Sequence, residues 1–143
     1  MMAPTTSSVW RKWRGRLAGD RGDASVQMAI VFPFVIVLTI AVVQASMWYY
    51  ARQIALAAAR DGVTAGRTYQ AGTSEAAARA RQVLDRTAGD SLRGATVSTA
   101  GSTGERVRVQ VHGTAPSLLP FVSGLSVTQS ASGPVERFTT PGG

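Results

Sequence analysis

One uninterrupted apolar run dominates the chain. Residues 28–50 read MAIVFPFVIVLTIAVVQASMWYY, and no Asp, Glu, Lys or Arg occurs between Asp23 and Arg52. As a helix this run rises roughly 35 Å, enough to cross a hydrocarbon core of about 30 Å. Thr39, Gln44 and Ser46 are tolerable inside such a span, because small polar groups bond back to the helix or to a neighbour. Pro33 lies in its first third, where it removes a backbone donor and favours a kink. Trp48, Tyr49 and Tyr50 close the run with an aromatic cluster suited to the headgroup level.

The pattern beyond the run still predicts helix. Residues 51–68 contain many alanines and no proline. Ala51, Ala55, Ala59, Gly62 and Gly66 share one face at three- and four-residue spacing, a small-residue stripe against which another helix backbone can approach closely. Arg52, Arg60 and Arg67 lie to one side of it, as a solvated face. Residues 69–73 read as a break. Ser74 is the expected N-cap of a second helix, with Glu75 complementing its dipole. Ala77, Ala80, Leu84 and Ala88 form its apolar face with Val83 beside them, and Gly89 suits its end.

After Gly89 the period shortens to that of strands. Residues 95–99 alternate loosely, residues 101–104 read as a turn, and Val107, Val109 and Val111 alternate cleanly with polar neighbours. The first two runs should pair as a hairpin. Residues 116–124 form an irregular link carrying Leu118, Leu119, Pro120 and Phe121. Residues 125–132 can add a third strand, and residues 139–143 read as a flexible tail. The expected fold is α+β and membrane-anchored: a long N-terminal transmembrane helix with an extracytoplasmic extension, a second short helix, and a small antiparallel sheet of about three strands. Its parts are a basic arm or leader (1–22), the helix and its extension (23–69), a helix-plus-sheet unit (70–138) and the tail. The outer unit has a marginal core and needs the membrane helix or a partner for stability.

Charge gives the run a direction. The net charge is +7, and residues 1–22 hold Arg11, Lys12, Arg14, Arg16 and Arg21 against Asp20 alone. A basic cluster directly before an apolar run marks its near end as cytoplasmic, which puts the C-terminal part outside. A nucleic-acid partner is not expected, because the remaining arginines are scattered singly among acids and Trp10 and Trp13 suit an interfacial arm. The lipid bilayer is the expected partner of the run. Cleavage as a secretory signal after Ala45, ahead of Ser46, is the main alternative to a retained anchor.

Site chemistry is sparse. Cysteine is absent and His112 is the single histidine, which removes disulfides, thiolate sites and His/Cys zinc or catalytic arrangements. No phosphate-binding fingerprint follows a strand. The six acids beyond the run, Asp61, Glu75, Asp85, Asp90, Glu105 and Glu136, are dispersed. The reading is a non-enzymatic protein without a cofactor.

The junction Arg21-Gly22-Asp23-Ala24-Ser25-Val26-Gln27-Met28-Ala29-Ile30-Val31-Phe32-Pro33 resembles the start of TadE-like proteins, small pilin-like components of tight-adherence (Tad/Flp) pilus systems. The Ala-rich segment from Ala55 to Gly66 and the stretch Val127-Thr-Gln-Ser-Ala-Ser-Gly-Pro-Val-Glu136-Arg-Phe are similar to later parts of that family. The resemblance implies cutting by a prepilin peptidase after Gly22, leaving Asp23 as the new N-terminus. It implies a glutamate five residues in, whose charge offsets a neighbouring subunit's terminal ammonium. This chain has Gln27 there, which accepts a hydrogen bond without carrying charge. The resemblance further implies a minor pilin or pseudopilin whose partners are other pilin-like subunits or Tad assembly proteins. It would sit in the cytoplasmic membrane, with the cell surface or a pilus as a later location. The two other readings are a secreted binding module released after Ala45 and a membrane-tethered surface accessory unrelated to pili.

Overall fold

The structure, a computed structural model, describes residues 7–68 and 70–137, with side chains from residue 22 onward. The side chains of Arg11, Lys12, Arg14, Arg16 and Arg21 and the tail at 139–143 lie outside the described residues. Helix α1 runs without interruption over Ser7–Arg67 and passes through Pro33. Helix α2 covers Thr73–Thr87. Strands β1 (Arg93–Ser98), β2 (Arg106–Ala115) and β3 (Leu125–Pro134) follow. The expected order of a long helix, a short helix and a three-stranded antiparallel sheet is therefore observed, with strand order β1-β2-β3.

The chain divides into two compact units, residues 1–41 and residues 42–143. Within the first, α1 has no tertiary face over its described side chains. Residues 22–39 are exposed on every side, including Met28, Ile30, Phe32, Phe34 and Val37. A helix that is apolar all round is stable only in an apolar surrounding, either a protein core or a membrane.

In the second unit both helices pack on one face of the sheet. β2 alternates strictly, with Val107, Val109, Val111, Gly113 and Ala115 inward. β3 lies antiparallel to β2 in unbroken register from Arg106↔Pro134 to Ala115↔Leu125. β1 pairs with the other edge of β2, and its register shifts between Arg93 and Thr96. Gly94 holds positive φ inside that irregularity, a conformation that glycine adopts at little cost. Ala51, Ile54, Ala55, Ala58, Ala59 and Val63 of α1 complete the core with Ala76, Ala80, Val83 and Leu84 of α2. The largest fully buried side chains are the valines Val109, Val111 and Val127. Such a core relies on close approach of backbones rather than on bulky side chains. The marginal outer unit expected from sequence thus includes the second half of α1 as one of its layers.

The boundaries and the buried face of α2 differ from the sequence expectations in five places. The N-cap of α2 is Gly72, without a side-chain cap, and Ser74 Oγ instead donates to Glu75 Oε2 at 2.8 Å. Ala76 takes the buried position expected for Ala77, because it lies one turn before Ala80 on the face that meets Gly62 and Gly66 of α1. β2 continues to Ala115 because Gly113 occupies an inward position, where a Cβ would lie 2.7 Å from Leu92 Cδ1. β1 begins at Arg93 and β3 ends at Pro134, each two residues outside the expected run.

Candidate membrane and assembly helix

The candidate element is α1, and three of its polar side chains within the apolar run bond inside the chain. Thr39 Oγ1 donates to Val35 O at 2.7 Å and Ser46 Oγ donates to Val42 O at 2.9 Å. Both hydroxyls thereby keep their protons inside the helix. Gln44 is 8% exposed, and its amide reaches the link between β2 and β3. Its Nε2 donates to Pro116 O at 3.0 Å, and Leu118 N donates to its Oε1 at 2.8 Å. No buried side-chain nitrogen or oxygen among the described residues lacks a hydrogen-bond partner. Gln44 is the feature that sequence reading left as merely tolerable. Its signal was a two-handed amide in an otherwise apolar stretch.

The aromatic cluster divides. Trp48 is half-buried against the core, its indole N–H donates to Ser126 O at 3.4 Å, and the Arg52 guanidinium lies 4.7 Å from its ring centroid. With its amide oxygen turned to Arg52, Gln129 accepts from Nε at 2.9 Å and from Nη2 at 3.2 Å. Tyr49 and Tyr50 remain exposed.

The small-residue stripe is occupied. Ala51, Ala55 and Ala59 are fully buried within the chain's own second unit. A Cβ on Gly62 would lie 2.7 Å from Ala76 O and 3.3 Å from Val109 Cγ2. On Gly66 it would lie 2.7 Å from Ala76 Cβ and 3.1 Å from Val107 Cγ1. The helix that the stripe admits is therefore α2 of the same chain. Arg52 and Arg60 are exposed beside it, while Arg67 Nε donates to Pro134 O at 3.0 Å and Arg67 O accepts from Glu136 N at 2.9 Å.

Gly22, Asp23 and Gln27, the residues tied to processing, are exposed and helical. A Cβ on Gly22 would meet nothing within 4 Å. His112, on the outer sheet face, makes a 2.8 Å hydrogen bond between Nδ1 and Thr128 Oγ1. No cluster of three metal-ligating His, Cys, Asp or Glu side chains occurs among the described residues.

Among the described residues one helical stretch, Gly22–Arg67 of α1, is long and apolar enough to cross a membrane. Residues 22–64 of the same helix match the model of the family described as TadE-like protein. The match contains the Gly22–Pro33 junction and most of the stripe, and it stops before α2 and the sheet. Neither a curated protein nor a solved structure matches the chain.

Proposed function

We propose, from the premise that this chain is TadE-like over residues 22–64, that it is a non-enzymatic minor pilin or pseudopilin of a tight-adherence pilus or its assembly complex. The carrying observation is coincidence. The matched residues are those of a helix that is exposed all round over residues 22–39, apolar from Met28 onward, then packed into a folded unit through its later turns. In this reading residues 28–50 span the cytoplasmic membrane. The basic arm stays inside by the positive-inside rule, and the helix-and-sheet unit lies outside. Other pilin-like subunits or assembly proteins contact the apolar residues 28–41 of α1, and a prepilin peptidase acts between Gly22 and Asp23.

Gln44 speaks against release after Ala45. That cut would remove the side chain that holds both Pro116 O and Leu118 N. A retained helix keeps the folded unit complete.

The test is intact mass and N-terminal sequencing of the protein from membranes and from medium, in cells with and without a co-expressed prepilin peptidase. A peptidase-dependent N-terminus at Asp23 in the membrane fraction is expected, together with photo-crosslinks from position Val37 to pilin-like subunits. A mature N-terminus at Ser46 in the medium would overturn the reading. So would an intact chain without pilin-like crosslinks.

A further inference from the structure

The link between β2 and β3 has no role in the fold that accounts for its composition. It exposes Leu118, Leu119, Phe121 and Val122, next to exposed Leu125 at the start of β3, and Phe121 is 98% exposed. An exposed cluster of this kind marks an interaction surface, since single exposed apolar residues are common and contiguous ones are not. No Asp, Glu, Lys or Arg occurs between Arg108 and Glu136.

The position of the link is fixed by Gln44. Through its two amide hydrogen bonds the link is tied to α1 on the span side of Tyr49 and Tyr50. Gln44 precedes Tyr50 by about 9 Å of helix rise, at about 1.5 Å per residue. The exposed apolar link therefore lies beside a stretch of helix that is itself apolar, with Val42 and Val43 exposed next to Gln44.

Part of the link's backbone is paired within the chain. Pro116 and Pro120 contribute no N–H. Leu118 N bonds to Gln44, Leu119 N donates to Ser117 Oγ at 3.1 Å, and Val122 N donates to Leu119 O at 3.2 Å. Main-chain groups that enter lipid must be satisfied within the protein. Three of the link's seven N–H groups are paired in this way, and the two prolines have none to satisfy; the others suit the hydrated headgroup level rather than the hydrocarbon core.

We propose that residues 117–125 dip into the outer leaflet beside α1, giving the folded unit a second contact with the bilayer. This rests on the reading of residues 28–50 as a membrane span. Lipid is the occupant because the link is tied to Gln44 beside exposed Val42 and Val43 of the proposed span and carries no Asp, Glu, Lys or Arg. Two contacts fix the unit against the membrane surface more firmly than a single helix can. Extraction of the subunit then has to free both.

The chain lacks cysteine, so a single introduced thiol reports cleanly. Phe121→Cys, Leu119→Cys, Val37→Cys and His112→Cys are each made in the full chain, labelled with a polarity-sensitive bimane, and reconstituted in phosphatidylethanolamine–phosphatidylglycerol nanodiscs with or without brominated acyl chains. Labels at Phe121 and Leu119 should show blue-shifted emission and lose fluorescence to brominated lipid to an extent approaching Val37. They should resist aqueous iodide, whereas His112 should be quenched by iodide alone. Iodide quenching at Phe121 and Leu119 equal to that at His112, with Val37 still quenched by lipid, overturns the proposal and leaves the span intact. Shielding from iodide without quenching by brominated lipid overturns it in favour of a protein occupant. Iodide access at Val37 removes the span and the proposal together.

Discussion

Gly62 lies against the Ala76 carbonyl so closely that a Cβ placed on it would sit 2.7 Å from that oxygen. The obstacle is backbone within a helix, which cannot rotate away as a side chain can. Ala80 Cβ at 3.1 Å and Val109 Cγ2 at 3.3 Å close the same space.

Gly62→Ala should therefore destabilise the second unit, although alanine is the better helix former by about 1 kcal/mol. Overpacking of a close interface typically costs about 1–3 kcal/mol, enough to outweigh that propensity gain and lower Tm by several degrees. Gly104→Ala is the control, because its Cβ would meet nothing within 4 Å. Thermal unfolding of the full chain in detergent, followed by hydrogen exchange in β2, should show a drop for the first variant and none for the second. An equal Tm for both would show that α1 and α2 do not approach this closely. Loss of complex formation in Gly62→Leu or Ala59→Leu carries information on partners only after folding of each variant has been shown.

Gln44→Leu removes the two hydrogen bonds that fix the β2–β3 link while keeping a similar volume. It leaves Leu118 N and Pro116 O without the partners they now have. An orphaned polar group costs about 1–3 kcal/mol when buried. The expected outcome is local: faster hydrogen exchange at Leu118 and Leu119, with exchange at Val109 and Val111 unchanged. Gln44→Glu should loosen the link as well, since a carboxylate can accept from Leu118 N but cannot donate to Pro116 O. Unchanged exchange at Leu118 in both variants would show that Gln44 does not hold the link.

Much of this architecture was legible in the sequence for a physical reason. The apolar run, the stripe of small residues and the valine alternation of β2 are each a strong local pattern, and they appear as α1 and β2. Gly89 ends α2 in the left-handed conformation expected of it. What could not be read was long-range pairing. Nothing local distinguishes a stripe that receives a second chain from one that receives the next helix of its own chain. Gln44 likewise gains meaning only from residues 116–118, far away in sequence. Trp48 looked like an equal member of the aromatic cluster until β3 and Arg52 were placed beside it.

Arg52 joins two elements through one guanidinium, lying over the Trp48 ring and donating to Gln129 of β3. Arg52→Ala should lower the stability of the second unit by about 1 kcal/mol, since an exposed cation–π contact contributes about 0.5–1 kcal/mol. Arg52→Lys should recover only part of this, because an ammonium cannot present the two-pronged donor that meets Gln129. A double-mutant cycle between Arg52→Ala and Gln129→Ala isolates the hydrogen-bonded part. Strict additivity would mean that the Arg52–Gln129 contact contributes nothing.

Gln27 gives the sharpest test of assembly. In the proposed mature subunit it follows the Asp23 ammonium closely in sequence, and both residues are exposed on α1. A charge at this position can attract a neighbouring subunit's terminal ammonium. The attraction is about 1 kcal/mol at 4 Å in water and several times larger at lower dielectric. Gln27→Glu should therefore strengthen recovery of pilin-like subunits with the protein from membranes by a few-fold or more. Gln27→Leu, which keeps the helix and loses the acceptor, should weaken it. The contrast is meaningful only for chains cut after Gly22, because an uncut chain has no ammonium at Asp23. Crosslinking yield measured with and without the peptidase separates the cases. A gain from Gln27→Glu that persists without cleavage would place the new charge's partner elsewhere than on a processed N-terminus.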